Sequence, residues 1–466
     1  MEEALRDDIR GKLESALSGE RVLWREADLL PYGSDVYMGI VYLGGLSHFL
    51  PDFVVLPETT EDVQKVVGIA AAHRIPLIPK GGGSNRTGML IPTHGGIVVD
   101  TVRMNRIVEV SVPNLYVTVQ PGIVLKDLEA RLAEKGLALH QVQGSDKMAT
   151  VGGSISTAAF SRMQNRHGTI SDRVMSMEVV LADGRVLRTG PKVLYTSTGY
   201  RLNQLFIGAE GTLGIITEAT LRIEPRPERE EALLALYDDF WTAKAAGDRV
   251  TNSGLAFTTG EAFELPESMT YPAAPELRGA LSFTFDGTDG EVEAQCSHLR
   301  RIVKETGGVL AAADDARNII EDFTKRWCGS WASTDFTEEI TSYVPQDRLK
   351  VFYDKVWNDI LPRHGVLPAK EDRLSVDIGR YPMAYSQFLI PKDGDAGEVH
   401  REVLREIAAL ATSLGGSVSA CTGSGIKNRD DLDLEFSEVA LETMRRIKKE
   451  LDPLNIMNPG KKLPGI

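Results

Sequence analysis

Cysteine is scarce: three in 466 residues, at Cys296, Cys328 and Cys421. They lie far apart and in no Cys-x-x-Cys pair, which argues against a disulfide framework and against an iron–sulfur or zinc site within this chain. Long apolar runs are also missing, since none reaches the roughly 20 residues of a bilayer-spanning helix. The opening Met1–Asp8 is acidic and amphipathic rather than a basic region followed by an apolar one, which predicts no signal peptide. Positive charge is in deficit too. With 52 Lys and Arg against 66 Asp and Glu the net charge is −14, the wrong sign for neutralising a phosphate backbone, so no nucleic-acid partner is expected. These absences predict a cytoplasmic, reducing home and no membrane span. No internal repeat or low-complexity tract interrupts the chain.

What is present is length enough for two or three domains, with a 42% hydrophobic content typical of globular proteins. One stretch stands out, Pro79-Lys80-Gly81-Gly82-Gly83-Ser84-Asn85-Arg86-Thr87-Gly88. It follows the strand-like Ile75–Ile78 and precedes the strand-like Gly96–Asp100. Three consecutive glycines keep side chains away from a ligand and permit positive φ, so that successive N–H groups can converge on an anion. The same composition also suits an ordinary Gly-rich turn. It matches neither a Walker loop nor a spaced Rossmann fingerprint. Before it, Pro51–Pro57 reads as a strand and Thr60–Ala70 as a capped amphipathic helix. Two further small-residue stretches, Ala149–Ala158 and Gly208–Glu218, also lie beside strand-like runs, and a hairpin signal sits at Ala182–Arg185. Three such loops converge better on one large nucleotide cofactor than on three unrelated turns.

The order of motifs resembles the FAD-linked oxidase family: Pro-x-Gly-Gly-Gly-Ser, Ala-Thr-x-Gly-Gly, Val-Leu-Ala-Asp-Gly, the run from Gly199 through Glu210-Gly211-Thr212-Leu213-Gly214-Ile215-Ile216 to Glu218, and the tail Asp452–Lys461. The likeness is closest over about residues 50–225 and again at the C-terminus, on the glycolate oxidase and D-lactate dehydrogenase branch. It implies an α+β fold: a two-lobed FAD-binding domain of the PCMH type over 1–225, a cap with an antiparallel sheet covered by helices over 226–440, and a segment 441–466 returning to the first domain. It implies FAD as cofactor. Pro79 to Gly88, including Lys80, Gly81, Gly82, Gly83, Ser84, Asn85 and Thr87, would wrap the pyrophosphate, and Ser145, Thr150, Gly152, Gly153 and Ser156 would line the opposite wall. Glu210, Gly211, Gly214, Ile215 and Ile216 would hold the ribityl and adenine side, and Asn458 and Lys461 would come back to the flavin.

The chain departs from its relatives where they place histidines. The cap strand that commonly carries a metal-binding histidine motif reads here as Ser375–Phe388 with none, so no active-site metal is expected. The later Glu-His-Gly-x-Gly motif becomes Cys421-Thr422-Gly423-Ser424-Gly425, and a threonine hydroxyl is no useful base near neutral pH. Cys421, Tyr381 and Tyr385 are the alternative proton acceptors, with Cys421 equally readable as a small buried residue. Arg326, with Arg380 as second choice, is the candidate for an anionic substrate group, because a guanidinium fork matches a carboxylate at two points. Trp327 and Trp331 are candidates for an apolar pocket. His140 and His167 are either covalent flavin attachment points or hydrogen-bonded structural histidines.

The activity implied is a dehydrogenase oxidising a 2-hydroxy acid or related alcohol. Electrons would leave to an iron–sulfur or electron-transfer-flavoprotein partner or to a diffusible acceptor, and a homo-oligomer is possible. Two alternatives stay open: a non-redox flavoenzyme of the alkyl-dihydroxyacetone-phosphate synthase type, and a FAD-binding subunit with a degenerate site.

Overall fold

In the computed structural model, the described residues are 2–266, 269, 271–329, 337–340, 342–367, 374–381, 383–389 and 396–465, without the side chains of 46, 322–329, 337 and 384–387. The chain forms two compact units. The first is Met1–Phe160, Thr169–Pro225 and Cys421–Ile466, and the second is Ser161–Gly168 with Arg226–Ala420. Two boundaries therefore differ from the expectation. The return to the first unit begins at Cys421 rather than 441, because the loop after Cys421 is hydrogen-bonded into that unit. The short segment Ser161–Gly168 belongs with the cap, held there by ion pairs to the cap sheet.

The first unit has two lobes. In one, the strands Phe53–Val55 and Leu77–Lys80 flank Ile97–Asp100 in parallel, and Val22–Leu23 adds an antiparallel edge. The connecting helix Thr60–His73 starts where Thr59 accepts the Asp62 N–H at 3.1 Å, the side-chain cap that satisfies an orphan donor. Its Val63, Val66, Val67 and Ala70 recur at helical spacing and pack on Phe53, Leu77 and Ile97, with Ile9, Leu13 and Leu17 of the helix Glu3–Leu17. In the other lobe five antiparallel strands run in the order Ile107–Ser111, Tyr116–Val119, Ile215–Arg222, Val174–Val180 and Val186–Arg188. The second glycine stretch is not a loop but the helix Val151–Ser156, capped by Thr150. Its Val151 and Ile155 enter the lobe's core, which outweighs the poor helix propensity of two glycines.

The second unit is a seven-stranded antiparallel sheet in the order Val309–Leu310, Arg229–Tyr237, Gly279–Gly287, Thr259–Glu264, Ser375–Asp377, Ala384–Leu389 and Thr337–Ile340. Leu281, Phe283 and Phe285 point to one face, where the helices Phe240–Asn252 and Asp289–Glu305 cover them. Strand alternation sends Ser282 and Asp286 to the opposite face, and cross-strand register puts Glu261 beside Ser282 there. Among the described residues no helix is long and apolar enough to cross a membrane.

Candidate functional site

Pairing Lys80 with Asp100 in the parallel ladder puts the glycine stretch at the carboxyl end of its sheet, where open α/β sheets bind ligands. The three glycines serve different ends. A Cβ on Gly81 would lie 2.3 Å from Thr150 Oγ1, and one on Gly82 would lie 1.9 Å from the Met148 carbonyl. Their bare backbones thus let the second glycine stretch close onto the first. Gly83 has φ +73°, the left-handed conformation that turns the chain there. Lys80 is committed elsewhere: its ammonium pairs with buried Asp100 at 3.0 Å and lies 5.2 Å from the Tyr32 ring centre. Asn85 and Thr87 tie the loop to its surroundings. Asn85 Oδ1 accepts the Thr87 N–H and hydroxyl at 2.8 and 2.6 Å, and Asn85 Nδ2 donates to the Thr422 carbonyl at 2.9 Å.

The C-terminal return closes this loop from the other side. The Thr87 carbonyl accepts the N–H groups of Ile426 and Lys427 at 2.9 and 3.1 Å. A Cβ on Gly425, which has φ +53°, would stand 2.2 Å from that carbonyl. Glu210, itself at φ +55°, turns its carboxylate into the same return. Its two oxygens accept the Ser424 and Gly425 N–H groups at 2.7 and 2.8 Å, and Lys462 pairs with it at 3.2 Å. Glu210 therefore acts through its side chain as a staple on the return. The side chains of Ile215 and Ile216 go into the core, which leaves this run its backbone groups for a cofactor. Gly214, Ile215 and Ile216 enter the central strand of the antiparallel lobe, where Ile215 and Ile216 are buried and a Cβ on Gly214 would meet Val179 at 2.7 Å. The neighbouring Gly211, at φ +70°, lets the chain pass close to Pro79, whose Cγ a Cβ there would meet at 3.0 Å. Ser145 uses its carbonyl to turn the chain at Met148 and Ala149, and Ser156 accepts the Glu210 N–H at 2.8 Å.

Asn458 and Lys461 come back beside the loop, and their polar atoms are underused. Asn458 Nδ2 donates to the Met89 and Glu210 carbonyls at 3.1 and 2.8 Å, while its Oδ1 is buried with no hydrogen-bond partner among the described residues. Lys461 is 3% exposed and donates to Thr93 Oγ1 at 3.2 Å. Desolvation, and then Arg429, depress its pKa to about 8, against the opposing pull of Asp35 and Glu210. A buried ammonium with one neutral partner is costly unless an anion joins it. These residues therefore fit an anionic dinucleotide: Lys461 is a buried cation with a neutral hydrogen-bond partner, whereas Lys80 is paired with Asp100.

Two groups here went unnoticed in the sequence. Asp35 Oδ1 accepts the Tyr37 and Gly88 N–H groups at 3.1 and 3.2 Å, yet burial raises its pKa to about 7 against those bonds. Lys448, four residues before Asp452 on the last helix, is buried against it and also donates to the Thr212 and Met457 carbonyls at 2.9 and 2.8 Å. Only the i, i+4 spacing hinted at this pair.

In the first unit, His140 Nε2 lies 3.9 Å from Glu224. In the second, Asp286 receives His167 Nε2 at 2.7 Å, Thr258 Oγ1 at 2.8 Å and Arg166 Nε at 2.9 Å. His167 is thus hydrogen-bonded to a carboxylate, and His140 stands near one. Arg380 and Tyr381 sit together, exposed, on the turn after Ser375–Asp377. Cys421 and Thr422 belong to the first unit instead, so the structure does not gather the predicted catalytic residues into one unit. Arg326, Trp327, Trp331 and the Tyr385 side chain lie outside the described parts.

A family model for FAD-binding domains matches residues 51–190, and one for the C-terminal domain of FAD-linked oxidases matches 387–462. The chain is 29% identical over 424 residues to a glycolate oxidase subunit of Bacillus subtilis, covering 88% of this chain and 89% of that one. It is 30% identical over 429 residues to an uncharacterised FAD-linked oxidoreductase of Mycobacterium tuberculosis, covering 88% and 90%. A D-lactate dehydrogenase of Archaeoglobus fulgidus is 29% identical over 420 residues, covering 88% and 90%. Among solved structures, p-cresol methylhydroxylase superposes with a TM-score of 0.81 at 16% identity, covering 99% of this chain and 97% of that one. An alkyldihydroxyacetonephosphate synthase gives 0.80 at 18%, covering 97% and 86%. The glycine cradle, the underused cation behind it and these sequence relatives agree, and the chain belongs to the FAD-linked oxidase family, with FAD as its cofactor.

Proposed function

We propose that this protein is a flavin-dependent dehydrogenase that oxidises a hydroxyl-bearing substrate, a 2-hydroxy acid or a related alcohol. The observation that carries this reading is the alignment, over 88% of the chain, with relatives named for glycolate and D-lactate. Both are 2-hydroxy acids. Bound FAD supplies the two-electron acceptor for a hydride from the hydroxyl-bearing carbon. The chain's own part is orientation and charge. Arg380 offers a fork for the substrate carboxylate, and Tyr381, beside it on the same turn, is the expected acceptor for the hydroxyl proton. Electrons then pass to an iron–sulfur or electron-transfer-flavoprotein partner or to a diffusible acceptor, since the three cysteines form no cluster motif.

The test is anaerobic mixing of the FAD-loaded protein with D-lactate, L-lactate, glycolate and an aromatic alcohol. Rapid bleaching of the flavin by one of them supports the reading. A fully loaded flavin that none of them bleaches refutes it, and product formed without net reduction would favour the non-redox alternative.

A further inference from the structure

Arg380 rises from a turn whose backbone is gripped by one side chain. We propose that Asn165 is a positioning residue that fixes the Ile378–Tyr381 turn, so that Arg380 selects for a negatively charged substrate. This rests on the reading above only in taking Arg380 as the partner of the anion.

The Asn165 amide engages the turn on both sides of Gly379. Its Nδ2 donates to the Ile378 carbonyl at 2.9 Å, and its Oδ1 accepts the Arg380 N–H at 3.0 Å. That is the donor and acceptor pair a neighbouring strand would offer. Gln346 Nε2 donates to the Gly379 carbonyl at 3.0 Å, and the Ile378 N–H donates to the Gly260 carbonyl at 2.8 Å. Gly379 has φ +127°, and a Cβ there would lie 2.2 Å from Asn165 Oδ1, so only glycine permits so close a grip. Asn165 is itself held at both ends. Arg162 pairs with Glu261 at 3.2 Å, while Arg166 and His167 pair with Asp286, which is 1% exposed.

The contrast among the arginines points to a ligand. Arg162 and Arg166 are neutralised by carboxylates of the cap sheet, whereas the Arg380 guanidinium has no carboxylate partner among the described residues. A backbone immobilised by four hydrogen bonds beneath an exposed guanidinium with no carboxylate partner among the described residues is preorganised for an anion. Less freedom is then lost when the anion binds.

The experiment compares wild type, Asn165→Ala, Asn165→Asp, Arg380→Met and the Asn165→Ala/Arg380→Met double variant, all FAD-loaded. Oxalate binding is read from the flavin spectrum, and hydrogen exchange is followed at the Arg380 amide. Asn165→Ala should raise the oxalate Kd about tenfold and speed exchange at Arg380. Asn165→Asp keeps the acceptor, so it should retain slow exchange and bind oxalate between the two. The double variant should bind no more weakly than Arg380→Met alone, because the two act through one contact. Multiplying effects in the double variant, or faster exchange with unchanged oxalate binding, overturns the positioning role. Oxalate binding unaffected by Arg380→Met, or absent in wild type, overturns the anion assignment with it. That outcome is told apart because Asn165→Ala still accelerates exchange.

Discussion

Replacing Glu210 by glutamine should loosen the entire C-terminal return. The carboxylate accepts two backbone N–H groups at 2.7 and 2.8 Å and pairs with Lys462 at 3.2 Å, with its side chain wholly buried. Hydrogen bonds to a charged group contribute about 1.5–3 kcal/mol each. Glutamine keeps one acceptor but turns an NH2 toward the other N–H, so one bond is lost and a buried donor is left facing a donor, for a cost of about 3–4 kcal/mol. Lys462→Met removes only the partly exposed end of the network and should cost under about 1 kcal/mol. In urea, with a slope of about 3 kcal/mol per molar for a chain of this size, the midpoint of the first unit's transition should fall by about 1 M in Glu210→Gln and by a few tenths at most in Lys462→Met. The loop against the return also borders the cofactor cradle, so Glu210→Gln should release FAD faster in gel filtration. An unchanged midpoint together with unchanged flavin retention would refute the staple.

Lys448→Met leaves Asp452 buried without its cation and should cost about 3–5 kcal/mol, lowering the thermal transition by several degrees. In the apoprotein, Asp35 binds its proton up to about pH 7 when folded but only to about pH 4 when unfolded. The folded state therefore holds more protons in that window, and stability falls as pH rises through it. Asp35→Asn should flatten this slope in urea melts run at successive pH values. Lys461→Met should weaken FAD retention by tenfold or more. Lys80→Met should chiefly destabilise the fold, since it strands Asp100, and a reversed order would show that the cradle's cation is Lys80.

Much of this was legible because it is local. Thr59 before an apolar stripe, a glycine triplet between two strands, and an Asp-Gly hairpin each specify their own backbone. What stayed hidden depends on contacts distant in sequence. Lys80 beside three glycines gives no hint that the parallel register will set it against Asp100. Nothing around Glu210 announces that its carboxylate will hold the return at Ser424 and Gly425. Nothing in Ser161–Gly168 announces that its charges belong to Glu261 and Asp286, because a helix this short has no periodicity to read. Gly152 and Gly153 argue against the helix they occupy, and tertiary packing of Val151 and Ile155 decides the outcome.

The interleaved order of the chain has a consequence for biosynthesis. Ser161–Gly168 leaves the ribosome well before the strands whose acids it will neutralise, and the first unit lacks its helix Glu438–Leu451 until the whole second unit has been made. The first unit therefore cannot be completed before the second has been made. A prematurely stopped message should yield no flavin-loaded fragment, only a substrate for proteolysis.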